Sequence, residues 1–154
     1  MRKRLFMAIF SKISMIIIPL CLMAGCKKEP VDPGIEGMWR LERFVTKSDG
    51  VVHNECQRIF YSIQLQLVVL AEKNCTHGYG IYIGAFCYGE KHKTVMMKDF
   101  KTRKSSGDDG ELVEVEKLNP YGINSSETVF QVVKKGGKQL VLDSEYATLY
   151  FSRF

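Results

Sequence analysis

The chain has 154 residues, of which 45% are hydrophobic and 25% are charged, and its formal net charge at pH 7 is +5. This length suits one domain with a hydrophobic core and is too short for two. The first 25 residues contain four basic and no acidic side chains, so the remainder holds 18 basic against 17 acidic residues, which argues against a nucleic-acid partner.

The N-terminal segment has the layout of a secretory signal peptide. Basic residues at positions 2–4 precede an apolar run from Ile13 to Ala24. This run is well short of the roughly 20 apolar residues that a transmembrane helix needs, and Lys12 prevents its extension. It leads into Leu22-Met23-Ala24-Gly25-Cys26, which resembles the lipobox of bacterial lipoproteins. We therefore expect a signal peptide at residues 1–25.

The lipobox resemblance implies a membrane anchor. A dedicated signal peptidase would cut before Cys26, and the lipoprotein acylation machinery would attach a diacylglycerol to its sulfur and an acyl chain, such as palmitate, to its amino group. Two or more chains anchor a protein stably, whereas one is marginal. Lys27 follows in place of the aspartate that retains some lipoproteins at the inner membrane. We therefore expect the outer membrane, with the domain facing the periplasm or the cell surface, and no further cofactor.

The mature chain begins with a flexible tether at residues 26–34, where two prolines and a glycine accompany charged residues. The folded domain is expected at residues 35–154. Its first predicted strand covers residues 35–45, with an inward face that comprises Trp39, Leu41, Arg43 and Val45. A charge on that face must lie near an open end, be paired, or contact the polar end of a ligand, because burying it alone is costly.

The strongest alternation covers residues 59–70, where the apolar odd positions are Ile59, Tyr61, Ile63, Leu65, Leu67 and Val69. Period two over this length predicts one half-buried strand. Further strands, separated by turn signals, are predicted at residues 78–89, 94–100, 112–118, 128–133, 139–142 and 147–154, with a loop at 105–110. About eight short antiparallel strands predict an all-β protein with a single up-and-down barrel, which leaves no sheet edge unpaired.

Two short motifs add a family resemblance. Gly37-Met38-Trp39 places a G-x-W at the start of the first strand, and the last strand reads Ala147-Thr-Leu-Tyr-Phe-Ser-Arg153-Phe154. Together with the lipobox, they resemble the lipocalin-like lipoproteins of Bacteroides-type bacteria over residues 35–154. The resemblance implies that Arg153 lies over Trp39 and closes the barrel floor, a cation-π contact of about 0.5 to 2 kcal/mol.

The interior of such a barrel has two possible uses. An eight-stranded barrel is just wide enough for one small ligand, or for its own side chains. The candidate cavity residues are Trp39, Arg43, Tyr61, Ile63, Leu65, Tyr82, Phe86, Met97 and Phe130. A hollow barrel predicts a carrier of a small apolar or amphipathic ligand. A filled barrel predicts an envelope interaction module that works through its surface and loops.

Three cysteines remain in the oxidising compartment once Cys26 is lipidated, namely Cys56, Cys75 and Cys87. Cys75 and Cys87 are the closest pair in sequence and form the candidate disulfide, although spacing alone does not fix connectivity. The same two cysteines with His77 and His92 hold enough sulfur and imidazole for a metal ion. They lack the paired spacing of structural zinc sites, so we expect no metal.

Enzyme signatures such as G-x-S-x-G and H-E-x-x-H are absent from the sequence, and we expect no catalytic residues. Basic residues cluster at 91–93, at 101–104 and at 134–138. These clusters could contact anionic glycans or lipid head groups, but solvated turns explain them more simply.

Overall fold

The computed structural model describes residues 30–56, 58–74, 76–103 and 109–154. The predicted signal peptide, Cys26 and Cys75 lie outside the described residues. The described part contains no helix with the length and apolar character needed to cross a membrane.

The described residues form ten strands and two short 3₁₀ helices. The strands are β1 (Gly37–Thr46), β2 (Val52–His53), β3 (Ile59–Gln64), β4 (Leu67–Glu72), β5 (Tyr82–Tyr88), β6 (Thr94–Arg103), β7 (Asp109–Leu112), β8 (Glu127–Lys134), β9 (Gln139–Asp143) and β10 (Ala147–Arg153). The 3₁₀ helices cover Glu90–His92 and Val115–Tyr121.

Eight of the strands close into an antiparallel barrel. Neighbours pair in the order β1-β3-β4-β5-β6-β8-β9-β10, and β10 pairs back with β1, while β2 adds to β1 and β7 to β6. Closure pairs the edges that an open sheet would expose. The prediction of an all-β, up-and-down barrel of about eight strands is confirmed.

The two ends of the barrel are called the tether end and the far end. The tether end is where the described chain begins, and it comprises residues 30–37, 64–67, 88–94, 134–139 and 153–154. The far end comprises residues 46–56, 58–59, 72–74, 76–82, 103, 109–127 and 143–147.

The predicted single strand at residues 59–70 is wrong, because the segment is a hairpin. The chain turns at Leu65-Gln66, where Leu65 has a φ of 55°. Across a two-residue turn, paired positions differ in parity, as in Ile63 opposite Val68. Odd positions therefore face inward in β3 and even positions in β4, so Leu67, which was predicted to face inward, is 51% exposed.

The predicted inward face of β1 is wrong beyond Leu41. The β1–β10 register shifts between Leu41 and Arg43, which marks a β-bulge. One extra residue reverses the alternation. Phe44 is consequently buried, and Arg43 is exposed with its guanidinium 4.1 Å from the centre of the Tyr150 ring.

The predicted strand at residues 112–118 is also wrong. Strand β7 ends at Leu112, and Val115–Tyr121 forms a 3₁₀ helix that buries Leu118 and Tyr121. Gly122 ends this helix with a left-handed backbone, and its N–H donates to the Leu118 and Asn119 carbonyls. The segment crosses the far end of the barrel instead of extending its wall.

Candidate functional site

Seven of the nine candidate cavity residues lie in the barrel core. They are Trp39, Tyr61, Ile63, Tyr82, Phe86, Met97 and Phe130. Arg43 and Leu65 do not join them, because the bulge turns Arg43 outward and Leu65 lies in the β3–β4 turn. The structure therefore brings together most of the predicted set and leaves out Arg43, its only charged member.

The core residues fill the barrel. A cavity wide enough for a ligand would leave free surface on the side chains around it, yet Trp39, Tyr61, Phe86, Met97 and Phe130 are each 0% exposed. Large side chains from strands that do not pair with each other meet directly, as in the edge-to-face contact of Tyr61 on β3 with Phe151 on β10, whose ring centres are 4.9 Å apart. The described interior is that of a packed core.

The far end is closed by the segment Val115–Ile123. Leu118, Tyr121 and Ile123 are buried in the core cluster. The Tyr61 hydroxyl donates to the Tyr121 carbonyl, and the Tyr121 hydroxyl donates to the Gly80 carbonyl at 2.5 Å. Burial raises the pKa of both tyrosines, so they remain protonated donors. Leu118 lies in the stretch that was predicted as a strand at residues 112–118, whereas Tyr121 and Ile123 lie outside the predicted strands.

The tether end is closed by Ile35 and Trp39. The Trp39 indole N–H donates to the Ile35 carbonyl at 2.6 Å. Arg153 covers the tryptophan, with its guanidinium carbon 5.0 Å from the ring centre, and donates to the Pro33 carbonyl at 3.1 Å. Gly37 makes this approach possible, because a side chain there would begin 2.8 Å from an Arg153 nitrogen. The structure thus places Arg153 over Trp39, as the G-x-W resemblance implies.

A family model described as a lipocalin-like domain matches residues 21–154. The chain belongs to this family. Two crystal structures from Bacteroides are similar to this lipocalin-like barrel. A lipocalin-like protein of Bacteroides uniformis has a TM-score of 0.56 at 17% identity, covering 79% of this chain and 99% of that one. An uncharacterized protein of Bacteroides eggerthii has a TM-score of 0.57 at 19% identity, covering 77% and 98%. No curated protein matches the chain.

The lipocalin-like fold is compatible with a ligand-binding module, and the clefts described on this barrel are open to solvent. The largest of them, which we call the rim cleft, has a volume of about 450 Å³ at the far end. Its lining residues are Lys47, Asn124, Ser125, Glu127, Thr128, Val129, Gln131, Asp143, Ser144, Glu145 and Tyr146. The rim cleft is therefore the strongest candidate site outside the filled interior.

The rim cleft has an excess of negatively charged side chains. Its three carboxylates face one cation, Lys47, whose ammonium lies 2.8 Å from Asp143. Burial alone would raise the pKa of Asp143, but hydrogen bonds from Lys47 and Thr148 outweigh it and lower the pKa. The Thr128 hydroxyl is buried without a partner among the described residues. The cleft can offer carboxylate acceptors to a cationic or hydroxyl-bearing partner.

The histidines weighed for a metal site lie at opposite ends of the barrel. At the far end, the His77 ring contacts the buried Glu72 carboxylate at 2.7 Å. At the tether end, the His92 ring contacts Asp32 at 3.0 Å. Glu72 also accepts the backbone N–H groups of His77 and Tyr79, so this carboxylate orders the chain between β4 and β5. The positions of the two histidines do not fit a shared metal site.

The cysteines occupy different environments. Cys56 is buried, and desolvation raises the pKa of its thiol to about 11. Cys87 carries a free thiol, and Cys75 lies outside the described residues. The predicted pairing of Cys87 with Cys75 stays a prediction.

Proposed function

We propose that this protein is a lipid-anchored module of the bacterial envelope that acts through its surface, with a barrel that is filled and encloses no ligand. The observation that carries the proposal is the packed interior, where the five large side chains at the centre are each 0% exposed. Both ends are also closed, by Trp39 at one and by Tyr121 at the other. An apolar molecule would find no described space inside this barrel.

The anchor is supported by the order of the N-terminal signals and by the family match. Basic residues, an apolar run and Cys26 follow one another, and the lipocalin-like match begins at residue 21, within this run. Mass spectrometry of the mature N-terminal peptide tests the anchor. We expect Cys26 as the first residue, carrying diacylglycerol and an acyl chain. A Cys26→Ala protein that still fractionates with membranes would contradict it.

The rim cleft is the proposed working surface because it faces away from the tether. Glu127, Asp143 and Glu145 line it with Tyr146. Charged rims steer partners of opposite sign and fix their orientation. The partner class that fits this chemistry is an envelope component that presents cationic or hydroxyl groups.

A site-specific crosslinking experiment tests this surface in the native envelope. Val129 and Val133 lie on the same strand, β8, and are 53% and 64% exposed, but only Val129 lines the rim cleft. A photo-crosslinking amino acid at Val129 should give a defined adduct that is weakened by Glu127→Lys and Glu145→Lys. The same probe at Val133 is the matched control. Equal adducts at both positions, or none at Val129, would contradict the proposal.

The second candidate function is a carrier of an apolar ligand, which the lipocalin-like family and the apolar inner face favour. It would require the segment Val115–Ile123 to leave the far end and uncover the core. Trp39 is the chain's only tryptophan and reports on the interior. A saturable change of its fluorescence on titration with a long-chain fatty acid would support the carrier, and an unchanged signal supports the filled barrel.

A further inference from the structure

Two of the three basic clusters in the sequence meet at the tether end. One follows β5 at residues 91–93, and the other lies in the β8–β9 connection at residues 134–138. Asp32 joins them, because one carboxylate oxygen accepts the Lys135 ammonium at 2.6 Å and the His92 ring at 3.0 Å. The third cluster, with Arg103, lies at the far end. The fold therefore places two basic clusters at the tether end and one at the far end.

The tether end exposes more positive than negative charge. Lys91, Lys93, Lys134 and Lys138 are exposed, and no ion pair is described for any of them. Of the described acidic residues at this end, Asp32 and Glu36 are buried and bind side chains of the barrel end, which leaves only Glu90 exposed among them. The exposed surface of this end is strongly basic.

The far end has a small excess of negative charge among its described, exposed residues. Seven acidic residues, Asp49, Glu55, Glu111, Glu114, Glu116, Glu127 and Glu145, lie there with five basic residues, Lys47, Arg58, Lys73, Arg103 and Lys117. The barrel is thus polarised along its axis, with the basic end beside the tether. A protein polarised in this way orients in the field of a charged surface.

The tether places the basic end close to the membrane. Four chain steps separate Cys26 from Pro30, the first described residue, and they span at most about 14 Å. The described tether is then held to the barrel, with the Tyr88 hydroxyl donating to Glu36 at 3.1 Å and the Lys135 ammonium to Asp32 at 2.6 Å. Lys27, Lys28 and Glu29 give this short stretch a net charge of +1.

From these observations we infer that the basic end of the barrel docks on the anionic phosphate head groups of the membrane that holds the anchor. The contact sets the orientation of the protein, with the rim cleft directed away from the lipid. Attraction to an anionic surface acts within about one Debye length, roughly 8 Å at physiological salt, and the short tether keeps the lysines near that range. This inference rests on the proposed lipid anchor.

The experiment uses the full mature protein in vesicles, after intact mass has shown that it carries lipid. Hydrogen exchange is compared between vesicles that contain phosphatidylglycerol and vesicles of phosphatidylcholine alone. We expect slower exchange at residues 89–94 and 134–139 only in the anionic vesicles, no change at residues 47–52, and loss of the effect in high salt. Removing each lysine should weaken the surface association by about fivefold.

Two triple variants with the same change of charge make the comparison specific. Lys91→Glu with Lys93→Glu and Lys138→Glu should abolish the protection. Arg58→Glu with Arg103→Glu and Lys117→Glu, at the far end, should keep it. Thermal unfolding shows whether each variant is folded. Equal exchange of the lipidated protein in both vesicles, or protection that survives in the tether-end variant, would overturn the docking. A mass without lipid would instead contradict the anchor, and the orientation with it.

Discussion

The guanidinium of Arg153 lies 5.0 Å from the centre of the Trp39 ring, and the two residues are partners in the β1–β10 register that closes the barrel. The contact joins the first strand to the last and covers the tether end of the core. Gly37 keeps the space open for the arginine, since a side chain there would meet its guanidinium. The G-x-W motif and the terminal arginine therefore form one structural unit.

Removing the arginine side chain should weaken the closure without emptying the core. Arg153→Ala is expected to lower the free energy of unfolding by about 1 kcal/mol, because a cation-π contact and a hydrogen bond to Pro33 are lost. Trp39→Ala should cost about 3 to 5 kcal/mol. Arg58→Ala, at an exposed position, is the control and should change stability by less than about 0.5 kcal/mol. Denaturant unfolding measures all three, and equal effects of the two arginine variants would contradict the contact.

The segment Val115–Ile123, which closes the far end, should contribute to stability as the rest of the core does. Leu118→Ala is expected to cost about 2 to 5 kcal/mol, since it leaves a cavity among buried side chains. Leu112→Ala makes the same chemical change a few residues earlier, where the side chain is 71% exposed, and should cost less than about 0.5 kcal/mol. Thermal and denaturant unfolding provide the comparison. If Leu118→Ala were equally mild, Val115–Tyr121 would be a removable cover.

Acid should weaken the attachment of the tether at Asp32. Burial alone would raise the pKa of Asp32, but hydrogen bonds from Lys135, the Gly34 N–H and His92 outweigh it and lower the pKa below its ordinary value of 3.8. A lowered pKa stabilises the folded state above the ordinary pKa, and this contribution is lost as the pH falls through the folded-state value. Wild type should therefore exceed Asp32→Asn in stability at neutral pH, and the difference should shrink below about pH 4. A difference that stays constant to low pH would contradict the ionised role of Asp32.

Alkylation should distinguish the described cysteines. The pKa of Cys56 is raised to about 11 by burial, so only about one thiol in a thousand is ionised at pH 8. Cys56 should react with iodoacetamide only after unfolding, whereas the half-buried Cys87 should react in the folded protein without reductant. Peptide mass spectrometry reads out both sites. Protection of Cys87 that reductant removes would instead support the predicted pairing with Cys75.

The barrel can be predicted from features that are local in the sequence. The predictions that were wrong depend on contacts between residues that are far apart in the sequence. Alternation in β3 and β5 predicts strands because each has one buried face. The turn at Leu65-Gln66 has no glycine or asparagine to mark it. The apolar odd positions continue through it in the sequence, whereas the positions that face inward change from odd to even. The bulge beside Arg43 is visible only in the pairing with β10. These features depend on neighbours that the local sequence does not specify.

The candidate site could also be predicted only in part from the sequence. The inward apolar residues of the barrel are predictable, because period two assigns Tyr61, Phe86 and Phe130 to the core. Whether they enclose a ligand depends on Tyr121 and its segment, which approaches from a connection and not from the wall. The rim cleft also combines residues from several loops and strands, so no single stretch of sequence indicates it.

Native mass spectrometry of the protein, released in mild detergent from its own membrane, tests the filled barrel most directly. We expect a mass equal to the chain from Cys26 with its covalent lipids, and nothing further in the organic extract of the purified protein. A stoichiometric apolar molecule that dissociates on extraction, and whose removal alters the fluorescence of Trp39, would contradict it.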